Sequence, residues 1–409
     1  MPSAEKMQSR LAFSLDFSGV IRYTIGKAKK RKKQNGSGIM QAHLHRKYLK
    51  PVPDIVGSLP VRAMQLYLPN EENIDQFETF IDDVIAPAGI THLSLCIYYR
   101  FRYPSHPEIA SDDAISVDLA KRIAAVCKRN GITVVPEVDF PGHQCEPDGK
   151  GGRVKQGIIV AYPDMEEPKL PTADTHSVCV RHPRLRPIMQ DMIDDLMDVF
   201  ETDTIHMGFD EAQCIGNCPR CAGVPNYILF AQLVNDTNRY IKRRGGQMWM
   251  WGDRMLDASL FPLRDVSYET TVNNTADAIK LIDKDIIICD WHYQREAMGH
   301  LSPSYWELKG FRHLSTTFRS VDGAEQFIRA THVLAESPNT LGTYLSTWSL
   351  FPDFYGCLTD GRIDEYRKTG ILPDNIDDET SWYDPKRFAH MAANVFLFMY
   401  IRPRIKPEE

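Results

Sequence analysis

The chain has 409 residues, 43% of them hydrophobic and 25% charged, ordinary proportions for a globular protein. Its length is compatible with one large domain, since α/β barrels of about 250 residues or more fold as a unit. The net charge of −6 hides an asymmetry: residues 1–50 hold twelve Lys or Arg against two Asp or Glu, and the rest of the chain holds 36 against 52. A body this acidic excludes nucleic acid as the main partner, because phosphate binding needs clustered positive charge.

In chain order, the apolar stretch Leu11–Ile25 comes first. Asp16 and Arg22 interrupt it, leaving it too short and too polar for a signal segment or a membrane span. No other segment approaches about 20 unbroken apolar residues, so no span is expected. Residues 27–33, KAKKRKK, followed by QNGSG, cannot bury themselves and read as a solvated basic arm over 1–58. Nine cysteines, an odd number, suit a reducing compartment better than a disulfide scaffold. A cytoplasmic location is expected, with nuclear import through the basic run as the alternative.

From Val61 onward, short β-branched runs alternate with stretches of helical period. The strands expected are Val61–Leu68, His92–Tyr98, Ile132–Val138, Thr204–Met207, Gln247–Trp251, Asp285–Cys289, Arg312–Thr316 and Gly342–Trp348. Helices are expected over Val117–Arg129, Leu185–Phe200, Asn226–Arg244 and Gly323–Glu336. Strands alternating with helices make parallel β/α units, and eight of them suggest a closed (β/α)₈ TIM barrel over 59–409 with a C-terminal helical segment. An open doubly wound sheet is the rival, weakened by the lack of a G-x-G-x-x-G after the first strand.

A barrel builds its site from the ends of its strands. Those ends read Glu137-Val138-Asp139, His206-Met207-Gly208-Phe209-Asp210-Glu211, Trp251-Gly252-Asp253, Asp290-Trp291-His292-Tyr293 and Thr347-Trp348-Ser349. Acids and tryptophans recur at one rim. Asp210 and Glu211 are the candidate catalytic pair. Neighbours on a strand point to opposite faces, so both serve one site only where the strand breaks, and Gly208 permits a break. Two carboxyls in a confined site keep one proton between them, as a glycosidase requires. Tryptophans suit the apolar faces of sugars. Trp249, two residues from Trp251, is read as packing one layer deeper.

The blocks VVPEVDFPGHQ (134–144) and IHMGFDEA (205–212) resemble the two most diagnostic blocks of the β-N-acetylhexosaminidases, glycoside hydrolase family 20. The resemblance extends over roughly residues 60–350 and is closest to barrel-only, unsecreted members. It implies a retaining enzyme that acts on terminal β-GlcNAc or β-GalNAc of an oligosaccharide or glycoconjugate, the substrate's own 2-acetamido group acting as nucleophile. By resemblance Glu211 is the general acid and base, and Asp210 binds the acetamido N–H. Asp139, His143 and His206 form a supporting polar network. Trp251, Trp291 and Trp348 wall the sugar, Asp253 belongs to the same substrate-binding rim, and Arg62 contacts outer hydroxyls. The family's seventh-strand tyrosine is missing: the segment reads STTFRSVDG, with Phe318 in its place, and Tyr293 is the candidate replacement. The eighth strand lacks the usual Trp-x-Glu, reading Trp348-Ser349-Leu350. The alternatives are a barrel glycosidase for an unusual 2-acetamido sugar and a non-catalytic carbohydrate-binding homologue.

No cofactor or metal is expected for the reaction. Cys214, Cys218 and Cys221 stand in a C-x₃-C-x₂-C pattern and are read as a compact loop of free thiols. Zinc with a fourth ligand such as Cys145, Cys179 or a histidine is the alternative. A homodimer is expected by analogy with other barrel enzymes.

Overall fold

Eight runs rich in β-branched and other apolar residues form eight parallel strands: β1 (Val61–Tyr67), β2 (His92–Cys96), β3 (Thr133–Phe140), β4 (Thr204–Gly208), β5 (Gln247–Trp251), β6 (Ile287–Trp291), β7 (Arg312–Thr317) and β8 (Thr340–Leu345). In this computed structural model each strand pairs with the next, and β8 closes on β1 through Val61 opposite Gly342 and Met64 opposite Leu345. The described residues are 49–145, 156–171, 173, 175–261, 269–359, 361–373 and 385–404. The basic run at 27–33 lies outside them.

The closure is tight at Gly342. A Cβ there would meet the carbonyl oxygen of Val61 at 1.8 Å, beside a register shift between β7 and β8, so only glycine lets the strands meet.

Helices cover the barrel because their apolar positions recur every three or four residues. Val117–Arg129 buries Leu119, Ala120, Ile123, Ala124, Val126 and Cys127. The Ser116 hydroxyl accepts from the Leu119 N–H at 3.2 Å to cap its start, a contact worth about 1 kcal/mol. The chain then turns out at Asn130–Gly131, with Gly131 left-handed at φ 68°. Leu185–Val199, Asn226–Arg243, Ser302–Lys309 and Val321–Val333 follow their strands in the same way. Between β5 and β6 the described residues form only short 3-10 turns. No described helix is long and apolar enough to cross a membrane.

The compact body spans Lys50–Glu409, so it begins earlier than the residue 59 boundary read from the sequence. Val52, Ile55 and Val56 of the helix Val52–Gly57 are buried, and this helix packs on the C-terminal helix Pro385–Tyr400. The C-terminal helix in turn packs beside β8 and the helix Val321–Val333, and its Tyr400 hydroxyl donates to the Ala63 carbonyl of β1 at 3.1 Å.

Three strands end where the site needs them to. β3 runs on through Asp139 to Phe140, with a register irregularity against β4 between Glu137 and Phe140; such bulges re-aim side chains beside active sites. β6 lies two residues later than its apolar pattern suggests, because Asp285 is engaged by Lys242 and Asn238 outside the sheet, and this brings Trp291 into the strand. β8 stops at Leu345, which puts Trp348 in a loop at φ 48°.

Candidate active site

The barrel interior below the site is polar and aromatic. Glu137 is fully buried, and its carboxylate accepts from Gln65 Nε2 at 3.0 Å, Ser94 Oγ at 2.8 Å and Tyr344 OH at 3.0 Å. Burial raises its pKa, against the pull of these donors. Trp251 stacks on Tyr344, with ring centroids 5.4 Å apart and planes 6° from parallel, and lies 4.5 Å from the ring of His206. Trp249 sits deeper, 6.2 Å from Tyr344. His206 Nδ1 accepts the Gly208 N–H at 3.1 Å, which places the imidazole hydrogen on Nε2. Burial lowers its pKa to about 3, so the ring is neutral.

The turn after β4 sets the two acids apart. Gly208, Phe209 and Glu211 have φ of 71°, 69° and 43°, so the strand is broken there by left-handed backbone. For each of the two non-glycine residues this costs about 1–3 kcal/mol, a strain that clusters at functional sites. Tethers hold the turn: Phe209 N–H to Asp139 Oδ1 at 3.0 Å, Glu211 N–H to Asp253 Oδ2 at 3.0 Å, and Thr175 Oγ1 to the Glu211 carbonyl at 3.1 Å. A Cβ on Gly208 would lie 2.0 Å from Asp139 Oδ1, so the Asp139 tether itself requires glycine.

Asp210 is buried, and its Oδ1 has no hydrogen-bond donor. Burial first, then the charges of Asp139, Asp253 and Glu211, hold its pKa well above the usual carboxylate range. Burial likewise lifts Asp139 to about 7, against the pull of His143. The charge of Asp139 opposes ionisation of Asp210, so the two neighbouring carboxyls hold one proton between them. His143 faces the whole group at φ 49°. Its Nε2 lies 3.7 Å from Asp139 Oδ2, 3.7 Å from Asp210 Oδ2 and 3.3 Å from Glu211 Oε2. Burial opposes the imidazolium, but Glu211, Asp139 and Asp253 outweigh it and raise the pKa to about 9. Gln144 braces this loop, donating to the carbonyls of Asp139 at 2.6 Å and Gly142 at 2.5 Å. The Glu211 side chain is about a fifth exposed, the more open of the pair.

An aromatic wall completes the rim. Trp291 and Tyr293 pack at 5.0 Å, and Trp348 lies 6.0 Å from Trp251. The Tyr293 hydroxyl accepts from Trp348 Nε1 at 2.9 Å and Ser346 Oγ at 3.2 Å. Its lone pairs are thereby engaged, leaving its hydrogen to donate. Burial raises its pKa, so the hydrogen stays on. Phe318 stands edge-on to it at 5.2 Å.

Two assignments are corrected. Arg62 is the second residue of β1, at the barrel's opposite end. It donates to the carbonyls of Gly89 at 2.5 Å and Leu59 at 2.7 Å and lines a cavity of about 220 Å³ with Pro53, Gly89 and Tyr400. Asp253 belongs to the site but is 2% exposed. Arg254 grips its Oδ2, and Trp291 Nε1 donates to its Oδ1 at 3.3 Å, so it is a positioning residue and not a sugar ligand. Conversely, the sequence marks Glu137 only as a strand-end acid and assigns Arg254 and Tyr98 no role. Tyr98 follows β2 at φ 43°, and its pKa is raised by burial first and then by Cys96, Asp139, Asp210 and Glu137. The D-R pair after Trp251 was the one local signal for Arg254.

The catalytic-domain model of glycosyl hydrolase family 20 matches residues 106–306, a span that takes in both blocks and the loops that tether them. Residues 106–306 are thus similar to the catalytic domain of glycosyl hydrolase family 20. A β-hexosaminidase of Akkermansia muciniphila is 29% identical over 111 residues, 25% of this chain and 20% of the relative. One of Emericella nidulans is 24% identical over 213 residues, 48% of this chain and 33% of the relative. This chain thus spans a third or less of the length of these curated relatives. The chitobiase of Flavobacterium johnsoniae superposes with a TM-score of 0.52 at 16% identity, covering 82% of this chain and 48% of the chitobiase. That likeness supports the barrel fold.

Proposed function

We propose that this chain is an exo-acting, retaining β-N-acetylhexosaminidase that removes terminal β-GlcNAc or β-GalNAc by substrate-assisted catalysis. The observation that carries this reading is the unequal setting of two adjacent acids, Asp210 buried beside Asp139 and Glu211 part-exposed beside His143.

In this reading the acetamido N–H of the substrate donates to Asp210, and the proton shared by the two aspartates stays on Asp139. The Tyr293 hydroxyl donates to the acetamido carbonyl and aims its oxygen at the anomeric carbon. As that oxygen attacks, Glu211 gives a proton to the leaving glycosidic oxygen, and His143 holds the next proton at 3.3 Å. Positive charge then grows on the oxazolinium ring beside Asp210. A carboxylate destabilised by burial and by like charges gains most from a cation that forms only in the transition state, and such differential stabilisation accelerates the chemical step. Water, deprotonated by Glu211, opens the ring with retention at the anomeric carbon. Trp251, Trp291 and Trp348 supply the apolar walls.

The test is release of a chromogenic leaving group from β-GlcNAc, β-GalNAc and β-glucose substrates. Turnover of the acetamido sugars with none of the glucoside is expected. Equal turnover of the glucoside would sink the substrate-assisted mechanism, and GlcNAc binding without turnover would favour the non-catalytic reading.

A further inference from the structure

We propose that Glu167, Cys179, Cys218 and Cys221 form a zinc site that fastens the loop after β3 to the loop after β4. The four donor atoms lie within 4.8 Å of one another, and all four residues are buried, at 5% exposure or less. Cys179 Sγ stands 3.2 Å from Cys218 Sγ and 3.7 Å from Cys221 Sγ. Tetrahedral Zn²⁺ with Zn–S near 2.3 Å sets sulfurs about 3.8 Å apart, so one pair already has that spacing and the other needs a small opening. Both separations are well beyond a bonded disulfide at about 2.05 Å.

Glu167 provides the independent sign of a ligand. It is 1% exposed, and its Oε1 accepts the N–H groups of Asn217 at 2.5 Å and Cys218 at 2.8 Å. Its Oε2, equally buried, has no donor. A buried carboxylate oxygen without a donor is costly, and a cation between it and three sulfurs removes that cost. Three thiolates and a carboxylate suit zinc in softness and geometry. Zinc binds thiolate and not thiol, so three thiol protons pass to solvent as three Zn–S bonds form, with no change of oxidation state.

The cysteine trio read from the sequence is corrected by this geometry. Cys214 stands apart, its sulfur accepting the Leu170 N–H at 3.3 Å. Cys179, from the loop after β3, takes its place. The site's two loops carry His143 and the Asp210–Glu211 pair at their starts, so the metal would act as a clip behind the chemistry. This inference is independent of the sugar specificity.

Elemental analysis of protein purified under reducing conditions should find about one zinc per chain, and Cys218→Ser or Cys221→Ser should lower it to below about a tenth. Cys214→Ser should keep the metal. A chelator should lower the Tm of the wild type and of Cys214→Ser alike. Should the Cys218 or Cys221 variants fail to fold, cobalt titration of the reduced, metal-stripped wild type decides. Sulfur-to-cobalt charge-transfer bands and intense tetrahedral d–d bands should saturate at about one equivalent. Reduced protein that takes up neither zinc nor cobalt overturns the proposal. So does loss of zinc in Cys214→Ser with retention in Cys218→Ser.

Discussion

The backbone N–H of Glu211 donates to the carboxylate of Asp253 at 3.0 Å. The same carboxylate holds Trp291 Nε1 through its other oxygen and is gripped by buried Arg254. One residue therefore sets the acid, an aromatic wall and the turn between them. Asp253→Ala should leave the Arg254 guanidinium buried without its carboxylate and lose about 3–5 kcal/mol of stability, read by urea denaturation. Stability within about 1 kcal/mol of wild type would show that the clamp is dispensable.

The adjacent acids should fail differently. Glu211→Gln should lose about 10²–10⁴-fold with a poor leaving group and far less with dinitrophenolate, which needs little protonation. Asp210→Asn should lose about 10²–10³-fold whatever the leaving group, because it stabilises the charge on the sugar side. Steady-state and burst kinetics over a leaving-group series read both. Parallel losses across the series would overturn this division of roles between the two acids.

The carboxylates around His143 push its pKa up from the ordinary 6.5 to about 9. A group with a raised folded pKa stabilises fully below its unfolded value, and the contribution is lost as pH rises through the folded one. Stability from His143 should therefore be complete below about pH 6.5 and fall between there and about 9. NMR titration of the ring and denaturation at pH 6, 8 and 10 check this. His143→Asn should flatten that part of the stability profile and move the basic limb of kcat/KM.

Tyr293→Phe removes the hydroxyl that accepts from Trp348 and Ser346. If that hydroxyl positions the acetamido carbonyl, kcat should drop about 10–100-fold, with a much smaller change in KM. Restoring a tyrosine on the seventh strand, Phe318→Tyr, in that background should recover part of the rate, since Phe318 packs edge-on to the Tyr293 ring.

The barrel was legible because each strand is a short, largely apolar run closed by a turn, and the acid pair because Gly208 announced the break. Other features depend on residues far apart in the chain. Glu137 is a mid-strand acid whose partners lie 43, 72 and 207 residues away, and no local pattern joins them. Arg62 looked like a rim residue, but its place at the start of β1 puts it at the end away from the site. Asp253 looked like a ligand because acids at strand ends often are; Arg254 beside it converts it into a strut. Cys179 lies 39 residues from Cys218, so the spacing of the nearer cysteines drew Cys214 into a cluster it does not join.

Arg402 reaches Asp54 at 3.3 Å, and the helices beside them pack at the barrel's N-terminal end. The body's first and last helices therefore meet on the face away from the chemistry, and the ring has no privileged starting point. Joining the chain between 50 and 404 and cutting it near exposed Met298 would leave every strand pairing in place. Such a circular permutant should fold to the same barrel, an outcome that would show the pairing of the strands, and not their order along the chain, to define the structure.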